Sequence, residues 1–267
     1  MKKIRMLGFV FLVVALMNAI CVLADEYEYD FSYETITPSK PYETDERTIS
    51  IDTVTDGNGT KYALYYSDQS SGYQFQIQNV LPNAFANEEK LYFVERNPQD
   101  ESENMLTSFE FQKENFKQIY EADITRPMAM NGKYFYYFLR TEKGWNTYTL
   151  YRYNLKKGKK KKIIEDVNAM KHGDNKYLVY TSPEEYINEP IYIMNRNGSK
   201  IKKIAEGVAA RFADGRVEYL QQTDEIDNNI IYSCDYDGND VKVVVDEFAW
   251  PNMPQEYFSN GMMDLIN

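Results

Sequence analysis

Histidine and cysteine are nearly missing from this chain: His172 stands alone, and Cys21 and Cys234 are the two cysteines in 267 residues. A zinc site of the usual nitrogen and sulfur ligands therefore cannot be assembled within the chain, and no metal or cofactor motif is read. Cys21 falls in an N-terminal leader, so the mature chain keeps Cys234 alone and no intrachain disulfide forms. Stability must come from packing. Positive charge is also short, with 30 Lys and Arg against 41 Asp and Glu and a net charge of −11. A nucleic-acid partner is disfavoured, because affinity for phosphates needs a basic face. Glycine (13) and proline (9) are few, whereas Tyr (24) and Phe (14) abound, and aromatic side chains suit pleated, half-buried strands.

The first 24 residues read as a signal peptide. Lys2, Lys3 and Arg5 form a positive start, Leu7 to Leu23 is apolar apart from Asn18, and Val22-Leu23-Ala24 ends in a small residue. Cleavage after Ala24 removes three cations and no anions, which takes the net charge from −11 to −14. The alternative is an uncleaved anchor, since Leu7–Ala24 is long enough to span a bilayer. Ile20 before Cys21 departs from the small residue of a lipoprotein signal. Residues 25–47 are acidic, tyrosine-rich and interrupted by Pro38 and Pro41; they read as a linker with one strand at Tyr27–Tyr33. Residues 48–267 form the remaining domain.

Within that domain the sequence repeats about every forty residues. Leu150-Tyr-Arg-Tyr-Asn-Leu-Lys-Lys-Gly158 runs on to Ile163, Ile191-Tyr-Ile-Met-Asn-Arg-Asn-Gly198 to Ile204, and Ile231-Tyr-Ser-Cys-Asp-Tyr-Asp-Gly238 to Val244. With a weaker copy ending at Ile119, the steps are 44, 41 and 40. A second marker, a basic residue opening an aromatic strand, falls at Lys90, Lys133, Lys176 and Arg216 with steps of 43, 43 and 40. Each unit parses as a short inner segment, an apolar strand, and a hairpin reversed at residues that tolerate positive φ, such as Gly198 and Gly238. Four antiparallel strands in such a length make a propeller blade. The predicted fold is an all-β propeller of four-stranded blades.

The stretch Ile191-Tyr-Ile-Met-Asn-Arg-Asn-Gly-Ser-Lys-Ile-Lys-Lys-Ile204 resembles the blade motif of TolB-like propellers, and of bacterial propeller families of unknown function related to the low-density-lipoprotein-receptor type. The resemblance covers residues 84–248. It implies a secreted or envelope propeller that serves as a binding platform, and it carries no catalytic residues across. The Tyr-Trp-Thr-Asp signature of the receptor branch is absent.

Four units run over 84–123, 124–167, 168–208 and 209–248. Residues 249–267 repeat the front half of a unit, and 48–54, 61–67 and 73–78 offer three strands from the other end. Joining the ends in one composite blade gives five blades, with N- and C-terminal strands closing the ring and removing exposed edges. Six blades is the alternative.

Candidate chemistry is thin. His172 sits in a turn with no nucleophile signature nearby. Asp235, Asp237, Asn239 and Asp240 around Gly238 resemble an acidic calcium loop, but the glycine is misplaced and a hairpin turn explains them. Cys234 alternates with Tyr232 and Tyr236 as a small packed side chain. Candidate ligand contacts are Trp145, in a polar connection, and Arg126, Asn168 and Arg211 on inner segments, where Asn83 and Asn252 also fall. The run Lys156, Lys157, Lys159, Lys160, Lys161 and Lys162 is a candidate contact for an anionic cell-wall polymer; its plainer reading is a solvated hairpin tip.

Three functions follow from these readings. The first is a secreted, non-enzymatic module that binds an extracellular protein or glycan. A propeller-type carbohydrate-active hydrolase would instead need two carboxylates converging on the axis, where the inner segments show amides and arginines. The third is a membrane-anchored module of a cell-surface assembly.

Overall fold

The structure, a computed structural model, describes residues 33–56, 59–97, 99–100, 103–141, 147–172, 176–181, 188–223, 228–249 and 252. The expected signal peptide, Trp145 and almost all of the C-terminal 250–267 lie outside the described residues. Strands account for the order of elements. They run β1 (Glu34–Ile36), β2 (Tyr42–Glu43), β3 (Arg47–Asp56), β4 (Gly59–Asp68), β5 (Gln74–Val80), β6 (Ala84–Ala86), β7 (Lys90–Glu95), β8 (Asn104–Glu110), β9 (Asn115–Ala122) and β10 (Arg126–Asn131). They continue as β11 (Tyr134–Arg140), β12 (Tyr148–Asn154), β13 (Lys159–His172), β14 (Lys176–Thr181), β15 (Glu189–Asn195), β16 (Lys202–Gly207), β17 (Ala209–Ala213), β18 (Arg216–Gln222), β19 (Asn228–Cys234) and β20 (Lys242–Ala249). A 3-10 turn, Phe111–Lys113, lies between β8 and β9. No helix among the described residues is long and apolar enough to cross a membrane.

Every pairing between these strands is antiparallel, and most join chain neighbours. β17 to β20 form a four-stranded sheet, β10 to β16 a seven-stranded one, and β1 to β9 a nine-stranded one in which β6 to β9 run consecutively. The seven-stranded sheet is continuous because β13 is fourteen residues long and serves two neighbours with different stretches. Lys159–Ile164 pairs mainly with β12 and Val167–His172 with β14. Asp166, at φ +56, bends the strand between them.

The period read from the sequence is present in the register. Tyr62↔Val80, Leu106↔Tyr120, Leu150↔Ile164, Ile191↔Ala205 and Ile231↔Val245 are paired residues, each followed by a register shift on the next residue. Such a bulge increases local twist and bends the outer strand. Buried side chains then interleave between successive groups of strands: Ile49, Leu64 and Tyr66 pack on Phe93 and Phe109, and Val94 and Leu106 on Phe135 and Tyr137. Farther along, Tyr136 and Phe138 pack on Tyr177 and Val179, and Leu178 and Ile193 on Val217 and Cys234. A core divided into layers explains how a polar, charge-rich sequence can bury so many aromatic rings.

Two expectations meet a different arrangement. In the segment read as a linker, the described part contributes β1, which pairs with β6, and β2, which pairs with β3, burying Ile36 and Tyr42. Strands of three and two residues are too short to show a period. Thr48–Val54, expected to pair with the C-terminal sheet, lies in β3 between β2 and β4. The C-terminal half of that expected pairing falls outside the described residues.

Candidate functional site

At three connections, β5–β6, β9–β10 and β16–β17, the linking residue donates its N–H to the second strand beyond. Leu81 donates to Val94 O (2.9 Å), Thr125 to Phe138 O (2.9 Å) and Val208 to Leu220 O (2.8 Å). Around the first two of these connections the ends of β4, β5, β7 and β8 surround a cleft of about 450 Å³. Asn79 turns the chain into it with φ +60, a conformation that Asn tolerates better than most residues, and its carbonyl accepts from Arg96 N (2.6 Å). Val80, Leu81 and Pro82 form an aliphatic wall.

Polar groups converge on that wall. Lys61 and Tyr62 come from β4, Arg96 from the end of β7, and Asp123 from the connection after β9. Burial raises the pKa of Asp123, and the charge of Asp100 adds to the effect. Asn104, 3% exposed, braces the cleft: its amide donates to Ile124 O (3.0 Å) and its carbonyl accepts from Asn97 N (3.0 Å). Thr125 Oγ1 accepts from Arg140 N (3.0 Å). The result is a small concavity of ligand-pocket size, with two cations, one perturbed carboxylate and a phenol against an apolar wall. A perturbed carboxylate in a cleft is the arrangement that marks functional sites.

The residues singled out from sequence are not gathered there. Arg126 is exposed at the start of β10, one residue beyond Thr125. Asn168 is half-buried within β13. Arg211, on β17, is held by Glu218 Oε2 at 2.6 and 2.8 Å, with both side chains 14% exposed. Trp145 lies outside the described residues. The lysines of the run are exposed on the β12–β13 hairpin. Asn154 Oδ1 there accepts from Lys156 N and Lys157 N, Gly158 has φ +60, and Lys160 lies over the Tyr151 ring. This is the geometry of a solvated tip.

Cys234 is fully buried and burial raises its pKa, so it is a packed thiol. Asp235 Oδ1 accepts from Asp237 N (2.9 Å) and Asn239 N (2.7 Å), which closes the hairpin that the acidic residues surround. The backbone of His172 ends β13 opposite Tyr177.

No family model matches the chain, and no curated protein matches it in sequence. Solved structures do. The β-propeller domain of the trilobed protease from Pyrococcus furiosus aligns with a TM-score of 0.51 and 15% identity, over 81% of this chain and 72% of that one. The uncharacterized protein lmo1340 from Listeria monocytogenes aligns at 0.51 and 10% identity, over 82% and 71%. TolB from Acinetobacter baumannii aligns at 0.40 and 13% identity, over 77% and 53%. Identities this low speak for fold alone, and the fold assignment rests on the first of them. The chain is similar in architecture to that β-propeller domain.

Proposed function

We propose that the chain is an exported β-propeller that binds an extracellular protein or glycan without turning it over, and that the ligand enters the cleft beside the β5–β6 connection. The observation that carries this reading is the meeting of Lys61, Arg96 and Asp123 on the Val80–Pro82 wall. On an acidic molecule, paired cations in a concavity concentrate an anionic group, while Asp123 and Tyr62 are placed to hydrogen-bond it. Asp123 is the one carboxylate among the described lining residues; glycoside hydrolysis requires two.

The proposal includes a ring of five four-stranded blades. They are β2–β5, β6–β9, β10 to the first half of β13, the second half of β13 to β16, and β17–β20. Support comes from the five equivalent bulges, the bend at Asp166 and the layered core. The first blade thus has four strands without borrowing from the C-terminus. Export rests on the charged, apolar and small-residue pattern of residues 1–24.

The test is a screen of residues 25–267 against glycan and cell-surface protein arrays, repeated with Lys61→Ala/Arg96→Ala. Loss of the bound ligand in the double variant supports the cleft. Undiminished binding removes it from the proposal.

A further inference from the structure

A second concavity shares no lining residue with the charged cleft. It measures about 570 Å³ and is bounded by Phe75 and Gln76 of β5, Glu95 of β7, Thr107 of β8, and Phe116 and Gln118 of β9. Phe116 is 45% exposed, yet it is not a loose ring. Its centroid is 4.7 Å from that of Phe109, 4.9 Å from Phe75 and 6.4 Å from Phe93, the last two edge-on. Packing therefore fixes an aromatic platform on an outer strand.

The polar groups around the platform are fixed as well. Thr107 Oγ1 donates to Glu95 Oε1 (2.7 Å), and Gln76 Nε2 donates to Tyr65 OH (3.1 Å). A second groove of about 440 Å³ shares Phe75 and Gln76 with the first, and its further lining is hydroxyl and amide: Thr48, Ser50, Tyr65, Ser67 and Gln74 beside Tyr66. In a chain with 27% charged residues, Glu95 is the one charged side chain among the described lining residues of both grooves.

We propose that this groove binds a neutral oligosaccharide. An exposed ring held rigid offers a stacking face for the C–H side of a sugar, at little cost in ordering. Amides, hydroxyls and a carboxylate pair with the hydroxyl groups that project from the sugar's edge. The absence of a cation from the described lining gives an acidic polymer no counter-charge. A neutral sugar is left as the complementary class. This site is independent of the charged cleft.

The experiment is calorimetric titration of residues 25–267 with cellopentaose, maltopentaose and chitopentaose, in the wild type and in Phe116→Ala, Gln118→Ala and Lys61→Ala. The inference expects at least one of the three sugars to bind with a Kd under about 1 mM. Phe116→Ala should weaken that sugar about tenfold or more and Gln118→Ala by a smaller factor, while Lys61→Ala leaves it unchanged. Gln118 is exposed, so its variant stays informative if Phe116→Ala lowers the melting temperature. No binding of any of the three up to about 10 mM overturns the inference. So does a sugar whose affinity is the same in Phe116→Ala and Gln118→Ala, or is lost in Lys61→Ala.

Discussion

Gly198 and Gly238 occupy the same turn one repeat apart. Gly198 N donates to Asn195 O (2.8 Å) at φ +69, and Gly238 N donates to Asp235 O (3.0 Å) at φ +78. Each also abuts the preceding group of strands at a marker position of the repeat. A Cβ on Gly198 would stand 2.9 Å from Ile163 Cδ1, and one on Gly238 2.7 Å from Ile204 O. The turn glycine and the isoleucine that precedes it by 35 or 34 residues are thus one contact, made twice.

The difference between the two contacts predicts a ranking. Gly198→Ala meets the end of a flexible side chain and pays mainly for positive φ, about 1–2 kcal/mol. Gly238→Ala meets a backbone carbonyl that cannot swing aside, so its cost should reach about 3 kcal/mol or more. Urea denaturation of the two variants checks the order, and equal midpoints would contradict it.

Arg211 is expected to act through Glu218. Removing it leaves a carboxylate that is 14% exposed without this partner, so Arg211→Ala should lose about 1.5–3 kcal/mol. The double variant with Glu218→Ala should lose less than the two single losses together. Additive losses, or unchanged stability accompanied by lost ligand binding, would return Arg211 to the role of ligand contact read from the sequence.

Asp68 supplies a pH dependence. Its carboxylate accepts from Ser70 Oγ, Ser70 N, Ser71 N, Arg47 Nε and Tyr66 OH. The Ser70 hydroxyl above all, then Ser71 N–H, holds its pKa well below the usual carboxylate range. A depressed pKa contributes stability that is complete above the unfolded value of about 3.9 and is lost as pH falls toward the folded one. Asp68→Asn should therefore lower the melting temperature at pH 7, and the gap from wild type should narrow below about pH 4. A gap that stays constant into acid would show that the charge is not involved.

Export makes its own prediction. Produced with its leader in a secreting bacterial host, the protein should appear outside the cytoplasm with Asp25 as its first residue on N-terminal sequencing. A membrane-bound product that begins at Met1 would favour the anchored alternative.

The repeat was legible because its signals are local and recur: turn glycines at 198 and 238, and aromatic strands opened by Lys133, Lys176 and Arg216. Those strands are β11, β14 and β18, within two residues of where the pattern places them. The cleft was not legible. Lys61, Arg96 and Asp123 are 35 and 27 residues apart, obey no motif, and meet because Asn79 bends β5 toward β7. Phe116 looked like any strand aromatic, and its exposure follows from β9 being an outer strand. Sequence pointed instead to Trp145 and the lysine run, where unusual composition draws attention whether or not a concavity lies beneath.

The central claim is that the protein binds without catalysis. It is tested most directly by incubating an array-identified ligand with stoichiometric wild-type protein, measuring saturable binding, and recovering the ligand for mass spectrometry. The account predicts an intact ligand, and binding that disappears in Lys61→Ala/Arg96→Ala. Conversion of the ligand to smaller products by the wild type would contradict it.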